Sequence, residues 1–388
     1  MEATPLQDLH LHNLRAIKVL GNGAMGTVFL VHNLISNPSA RSPFALKVVE
    51  KSCLQSDRRA LWEISVLNRL NHKPHPFLPF LIGFLETHEF LAWAIPFCPG
   101  RDLNVLRNRQ TDHVFSASAI RFYLAEIICA LQHLHTMGIV YRDLKPENVL
   151  IQQSGHVTLT DFDLSRTLTA KSLQSLLILS PEEPKKHKRN LGRLFWVVVS
   201  DQNRAGITKT KSARVSPVTR RKTSFADGER SNSFVGTEEY LSPEMVRGDG
   251  HEFAIDWWAL GILAYEMLYG STPFRGKNRK DTFERILMMQ PKFTGKPTPL
   301  TDLISKLLEK QPTRRLGYRL GASEVKEHPF FLGLRWELLT GVVRTPFIPS
   351  VELTTKTNGI NIKEYLQKQR EPPSPLDSPS CSISLTEF

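Results

Sequence analysis

Apolar residues along this chain change their spacing once, near residue 100, and that change limits the fold more than any other feature. From about residue 14 to 97 the runs 16–20, 27–32, 44–50, 81–86 and 90–95 have the length and β-branched content of strands. Turn chemistry separates them, including Gly21-Asn22-Gly23 and Ser36-Asn37-Pro38. One helix interrupts, over 58–70, with Leu61, Ile64, Val66, Leu67 and Leu70 near helical spacing. From about Leu103 the helical period takes over, at 117–137, 257–269, 283–289 and 300–308, with short strands at 149–151 and 157–160. A β-rich lobe followed by an α-rich lobe is an α+β architecture.

Three polar constellations break the apolar pattern. Gly21-Asn22-Gly23-Ala24-Met25-Gly26-Thr27-Val28 is a glycine loop between two predicted strands. Such a loop lets a hairpin lie over phosphates with its N–H groups aimed at the oxygens, although three glycines also make an ordinary turn. A dinucleotide-type loop needs a helix next, and the β-branched run after Gly26 excludes an oxidoreductase of that kind. Lys47 stands inside the apolar strand 44–50, and Glu63 stands mid-helix 16 residues later. A lysine head that snorkels to solvent is the plainer alternative; a Lys47–Glu63 pair facing a nucleotide explains both charges.

The strongest signal is Tyr141-Arg142-Asp143-Leu144-Lys145-Pro146-Glu147-Asn148. Asp143 and Asn148, with Lys145 between them, gather a proton acceptor, a cation and a metal-binding amide around one centre. Asp161-Phe162-Asp163 follows the second short strand and supplies a carboxylate for a divalent metal.

Taken together, residues of about 14–345 resemble an AGC-family protein kinase. The resemblance rests on these motifs, on Tyr141 where histidine is commoner, on Ser242-Pro243-Glu244, on Ser231-Asn232-Ser233-Phe234-Val235-Gly236-Thr237, and on Arg344-Thr345-Pro346-Phe347. Two departures, Asp163 in place of the usual glycine and a basic insert after it, are similar to the plant-specific group VIII, the relatives of PINOID and phototropin. The 95–98 hinge is most like the UNICORN-type members.

The resemblance implies a bilobal kinase fold, with a small lobe over 14–97, a large lobe over 98–345 and a C-terminal tail over 346–388. It implies ATP and Mg2+ as cofactors, and transfer of phosphate to serine or threonine in protein substrates. Leu20 and the glycine loop 21–28, Lys47, Glu63, Pro96 (carbonyl) and Cys98 (N–H) would hold the nucleotide. Asp143 and Lys145 would act in transfer, and Asn148 and Asp161 would hold the metal. Ser233 would be the activation-loop phosphosite, read by Arg142, with a phosphoinositide-dependent kinase or the chain itself as its modifier. Glu244 would pair with Arg315. Acidic Asp102, Glu147 and Glu266 match positions that take substrate arginines, though each serves equally well as a surface carboxylate. A catalytically weak scaffold is the alternative that Asp163 raises, since glycine there permits backbone angles that aspartate adopts less readily.

Composition locates the rest. The net charge is +12, and residues 171–230 carry 14 Lys/Arg against 5 Asp/Glu, so the excess is local. That insert, expected to lack structure, reads as a nuclear-import patch at 185–189, a basic-apolar membrane contact through 193–199, or a solvated loop. No base-reading motif supports a specific nucleic-acid role. Residues 1–11 lack the apolar core of a signal peptide, Glu2 excludes a myristoyl acceptor, and four scattered cysteines offer no zinc spacing. The expectation is a cytoplasmic and nuclear protein with free thiols and peripheral plasma-membrane contact. The Pro/Ser/Thr-rich stretch from about Thr345 reads as an extended tail.

Overall fold

The computed structural model describes residues 6, 9–23, 26–34, 43–51, 54–168, 237–342, 344–349 and 359–370. The first lobe is a five-stranded antiparallel sheet of order β1-β2-β3-β5-β4, from β1 (Leu14–Gly23), β2 (Gly26–Asn33), β3 (Phe44–Glu50), β4 (Gly83–Glu86) and β5 (Phe90–Pro96). Helix α1 (Leu54–His72) lies between β3 and β4 in the chain.

The two-residue period of the strands divides the sheet's faces cleanly. In register, Val28 pairs with Lys47 and Lys47 with Trp93, which places Lys47 on the same face as Val49, Leu91 and Trp93. That face packs on Ile64, Leu67 and Leu70 of α1. Ala60, Glu63, Ile64, Val66, Leu67, Leu70 and Asn71 form the buried side of the helix, and Leu61 falls off it, 49% exposed. The sequence pattern placed Leu61 inside; Ala60 occupies that place, because a small residue lets the helix approach the sheet.

The opposite face carries Phe29, Val31, Leu46, Val48, Ala92 and Ala94. Its cover is the main correction to the sequence reading. Instead of running extended, the tail forms a helix, Ile362–Arg370, whose Ile362 and Leu366 are buried on this face beside Leu9. Ile360 N–H donates to the Ala16 carbonyl at 2.7 Å, and the Tyr365 ring meets Phe29 edge-on at 5.5 Å. Tail composition concealed a short i, i+3, i+4 apolar pattern at Ile362, Tyr365 and Leu366, whose partner surface belongs to the sheet at the other end of the chain.

The second lobe is helical. Its axis is α3 (Ala117–Thr136), capped by Ser116 accepting from Ala119 N–H at 3.2 Å, with Ile120, Tyr123, Leu124, Ile127, Ile128, Leu131 and Leu134 all buried. A shorter helix, α2 (Leu103–Asn108), precedes it. Helices Pro243–Arg247, Ala254–Tyr269, Arg279–Met288, Pro299–Leu307 and Ala322–Lys326 follow. Between α3 and these helices lie two two-stranded sheets: β6 (Ile139–Val140) with β9 (Arg166–Thr167), and β7 (Val149–Ile151) with β8 (Val157–Leu159).

Arg315, 1% exposed, grips Glu244 through two hydrogen bonds of 2.6 and 2.9 Å and also donates to the Ala254 and Glu309 carbonyls. Burial alone would raise the Glu244 carboxyl, but Arg315 holds it below its ordinary range. The basic insert, Ser233 and residues 371–388 lie outside the described residues. Among the described residues no helix is long and apolar enough to cross a membrane, and no cluster of His, Cys, Asp and Glu has metal-site spacing.

The tail helix predicts its own contribution. Leu366→Ala should destabilise the protein by about 2–5 kcal/mol, the range for emptying a buried leucine site. Thermal denaturation checks this, and an unchanged midpoint would place the helix off the sheet.

Candidate active site

Strand β3 and helix α1 present Lys47 and Glu63, while short strands and tight turns position Asp143, Lys145, Asn148 and Asp161. The pair β7–β8 brackets residues 152–156 and delivers the 141–148 loop on one side and residues 160–163 on the other. Thr160 N–H donates to the Asn148 carbonyl at 3.0 Å, which ties the two polar segments together.

Lys47 lies at the centre. Its Nζ donates to Glu63 Oε2 at 2.8 Å and to Asp161 Oδ1 at 2.7 Å. It also stands 5.2 Å from the Trp93 ring centroid. Burial by itself would lower the lysine's pKa, yet Glu63 and Asp161 together hold it above the ordinary lysine range. Burial lifts the Glu63 carboxyl, and Lys47 draws it back. At these distances we read Lys47 as an ammonium shared by two carboxylates.

A second cluster surrounds Asp143, which is 5% exposed. Lys145 Nζ donates to Asp143 Oδ2 at 2.7 Å, and Asn148 Nδ2 donates to Asp143 O at 2.9 Å and Oδ2 at 2.8 Å. Burial raises the Asp143 carboxyl, opposed by Lys145 and Asn148. Asn148 spends its amide hydrogens on Asp143, which leaves the side-chain oxygen as its acceptor. That oxygen and the part-exposed Asp161 carboxylate are hard donors of the kind that suits Mg2+.

The backbone here is forced. Arg142 has φ +74° and Asp161 has φ +63°, both in the left-handed region that non-glycine residues avoid. Such residues persist only where the surroundings over-determine them. Asp256, fully buried, provides that constraint. Its carboxylate accepts from Tyr141 N–H at 2.9 Å, Arg142 N–H at 2.8 Å and the His135 ring at 2.8 Å. Tyr141 adds a second hold, since its hydroxyl donates to the Thr160 carbonyl and its ring meets Phe162 at 5.6 Å. In the sequence Asp256 is only an acid just before the 257–269 helix; its anchoring of the loop depends on a contact 115 residues away in sequence.

The remaining sequence candidates sit as follows. Leu20, Gly21, Asn22 and Gly23 close β1, and Gly26, Thr27 and Val28 open β2; Ala24 and Met25 lie outside the described residues. Gly26 is fixed by the fold: at φ +135° an added Cβ would stand 2.2 Å from the Val48 carbonyl oxygen. A Cβ at Gly21 would meet nothing, so the fold itself does not demand glycine there. Pro96 ends β5 opposite Phe44, and Cys98 follows it, buried, with its thiol pushed up to about 12 by burial. Arg142 is buried beside Asp143, its pKa lowered to about 10 by burial and by neighbouring Arg166.

Of the three acidic candidates, Asp102 is committed to capping α2, where its carboxylate accepts from Val105 N–H at 2.8 Å. Glu266 pairs with Arg107 at 3.1 Å and accepts from the Tyr240 hydroxyl at 2.5 Å. Glu147 is exposed.

Residues 14–181 and 220–331 match the protein kinase domain family. The chain belongs to the protein kinase family. It is 57% identical to serine/threonine-protein kinase UCN of Arabidopsis thaliana over 388 residues, covering 96% of this chain and 94% of the relative. UCNL of the same plant is also 57% identical, over 97% and 95% of the two chains. OXI1, again from Arabidopsis, is 43% identical over 94% and 87%. This kinase therefore stands among the plant AGC kinases of UNICORN type, as a serine/threonine-protein kinase.

The anchoring by Asp256 gives a direct test. Asp256→Asn turns one carboxylate oxygen into a donor facing backbone N–H groups, at a cost of roughly 1.5–3 kcal/mol. The expected result is a kcat reduced about ten- to hundredfold with KM for ATP little changed. Equal loss in KM alone would contradict a role in holding the loop.

Proposed function

We propose that this kinase transfers the γ-phosphoryl group of magnesium-bound ATP to serine or threonine hydroxyls beside basic residues. The observation that supports it most is Lys47 bridging Glu63 and Asp161 at 2.8 and 2.7 Å. This arrangement brings a cation from the sheet against a metal-type carboxylate from the other lobe.

In this reading Asp143 orients the attacking hydroxyl and accepts its proton, and Lys145 meets the charge on the phosphoryl group in transit. Lys47 orients the nucleotide phosphates. The glycine loop from Leu20 to Val28 covers them, and the Pro96 carbonyl and Cys98 N–H receive the adenine. Asn148 and Asp161 hold the magnesium, which when bound neutralises phosphate charge. Residues 14–345 form the kinase domain and 346–388 its tail.

Exposed Glu147, together with Glu266, whose carboxyl is raised by burial and by neighbouring Glu147 and Glu239, favours a cationic substrate segment. Phosphate on Ser233, placed by a phosphoinositide-dependent kinase or by the chain itself, would be read by Arg142. The basic insert favours an anionic surface, in cytoplasm and nucleus with contact at the plasma membrane. Imaging a fusion with and without residues 185–199 separates nuclear from membrane retention, and identical diffuse patterns would count against both.

A peptide array incubated with Mg-ATP should show transfer to serine and threonine preceded by arginine, and Lys47→Met should abolish it. Transfer that ignores flanking charge would overturn the basic preference. Since burial raises Asp143 and a base works only when ionised, kcat/KM should fall with acid at a pH above the ordinary aspartate pKa of about 3.9. Lys145→Met removes an opposing charge and should move that fall to still higher pH in the residual activity. A fall at unchanged pH would separate Asp143 from the proton transfer.

A further inference from the structure

The segment leaving β8 meets α1 with every second residue. Asp161 reaches Glu63 through Lys47, at 2.7 and 2.8 Å. Asp163 Oδ2 stands 3.8 Å from Arg59 Nη1, and the Asp163 side chain is 6% exposed. Ser165, fully buried, accepts from Trp62 Nε1 at 2.9 Å while its hydroxyl donates to the Phe162 carbonyl at 2.6 Å. Thr167 Oγ1 accepts from Arg69 Nη1 at 3.3 Å, and Arg69 also donates to the Met137 carbonyl at 2.7 Å.

The segment is bent, not extended: Asp161 is left-handed, Ser165 N–H donates to the Phe162 carbonyl at 3.0 Å to close a turn, and strand pairing begins only at Arg166. These bends bring the side chains of 161, 163, 165 and 167 to α1. Residues 59, 62, 63 and 69 share one stripe of a helix, at steps of three, four and ten from Arg59. Four contacts therefore align along one seam between helix and segment. The Arg166 guanidinium lies 5.9 Å from the Trp62 ring centroid and flanks the seam.

Asp163 departs from the usual glycine within this seam. Its φ is outside the left-handed region, so aspartate sits there without the strain that Asp161 carries. A glycine would leave Arg59 without that carboxylate, and the second of the four contacts would vanish.

We propose that Asp163 is a positioning residue: paired with Arg59, it closes a side-chain seam that holds α1 against the 161–167 segment and keeps Glu63 on Lys47 without a phosphate on the activation segment. The inference rests on the reading of Lys47–Glu63 as the competent arrangement. It assigns to this chain a built-in hold on α1, so that aspartate at 163 supports activity instead of diminishing it.

The test uses the full chain carrying Ser233→Ala, which removes the proposed phosphosite. Amide hydrogen exchange over residues 54–72 and steady-state transfer to a basic peptide are measured together. Asp163→Gly, Asp163→Asn and Arg59→Met should each speed exchange in 54–72 and lower kcat by about three- to tenfold, the range for one partly buried ionic contact. KM for the peptide should not change. The double variant Arg59→Met/Asp163→Asn should be no worse than either single one, and Arg59→Lys should retain most of the activity. Unchanged exchange over residues 149–159 shows that the helical lobe remains folded in each variant. The proposal is overturned if Asp163→Gly leaves exchange in 54–72 unaltered, or if the two single effects multiply in the double variant. If the reading of Lys47–Glu63 fails, exchange in 54–72 responds while kcat does not.

Discussion

The Lys47 ammonium, shared between Glu63 and Asp161, is the interaction around which both lobes are arranged. Each partner comes from a different element: β3 supplies the cation, α1 one carboxylate and the turn after β8 the other. Without the lysine, two carboxylates would be left close together in a poorly hydrated site, where like charges repel strongly. Without either carboxylate, a buried ammonium would lose the charge that offsets its desolvation. The three groups are therefore stable only as a set, and the set defines how the sheet lobe stands over the helical one.

Two residues of the candidate site, Arg142 and Asp161, occupy left-handed backbone angles, and each is bracketed by a neighbour that constrains it. Asp256 takes the Tyr141 and Arg142 N–H groups, while Tyr141 in turn meets Phe162 and the Thr160 carbonyl. Buried acceptors with several donors are costly to disrupt, so this anchor keeps Asp143 presented at a fixed angle. The seam along α1 does the same for Glu63. The placement of Asp143 and Glu63 thus depends on residues outside the proposed reacting set.

Much of this was legible in the sequence because the period of apolar residues reports strand and helix directly. The alternation through 44–50 put Lys47 on a defined face, and Glu63 inside an apolar helical stripe demanded a cationic partner. Contacts between distant segments were harder to read. Asp256 looks like any acid at a helix start until the loop 115 residues earlier in sequence folds onto it. The tail helix shows only three apolar residues in a polar stretch, and its partner surface exists only once the sheet has formed. Asp102 offered a charge without saying that a helix cap would use it. Asp163 was visible as an anomaly, but its partner Arg59 belongs to a stripe that becomes a stripe only in three dimensions.

The most direct test of the account is single-turnover phosphoryl transfer by Glu63→Gln with saturating Mg-ATP and a basic peptide. Glutamine keeps the size of the side chain and removes the charge that fixes Lys47. The account predicts transfer slowed about hundredfold, the scale expected when a positioned charge is misplaced by about an ångström, with ATP affinity nearly retained. Transfer at the parent rate would contradict it, because the shared ammonium would then not govern the reaction.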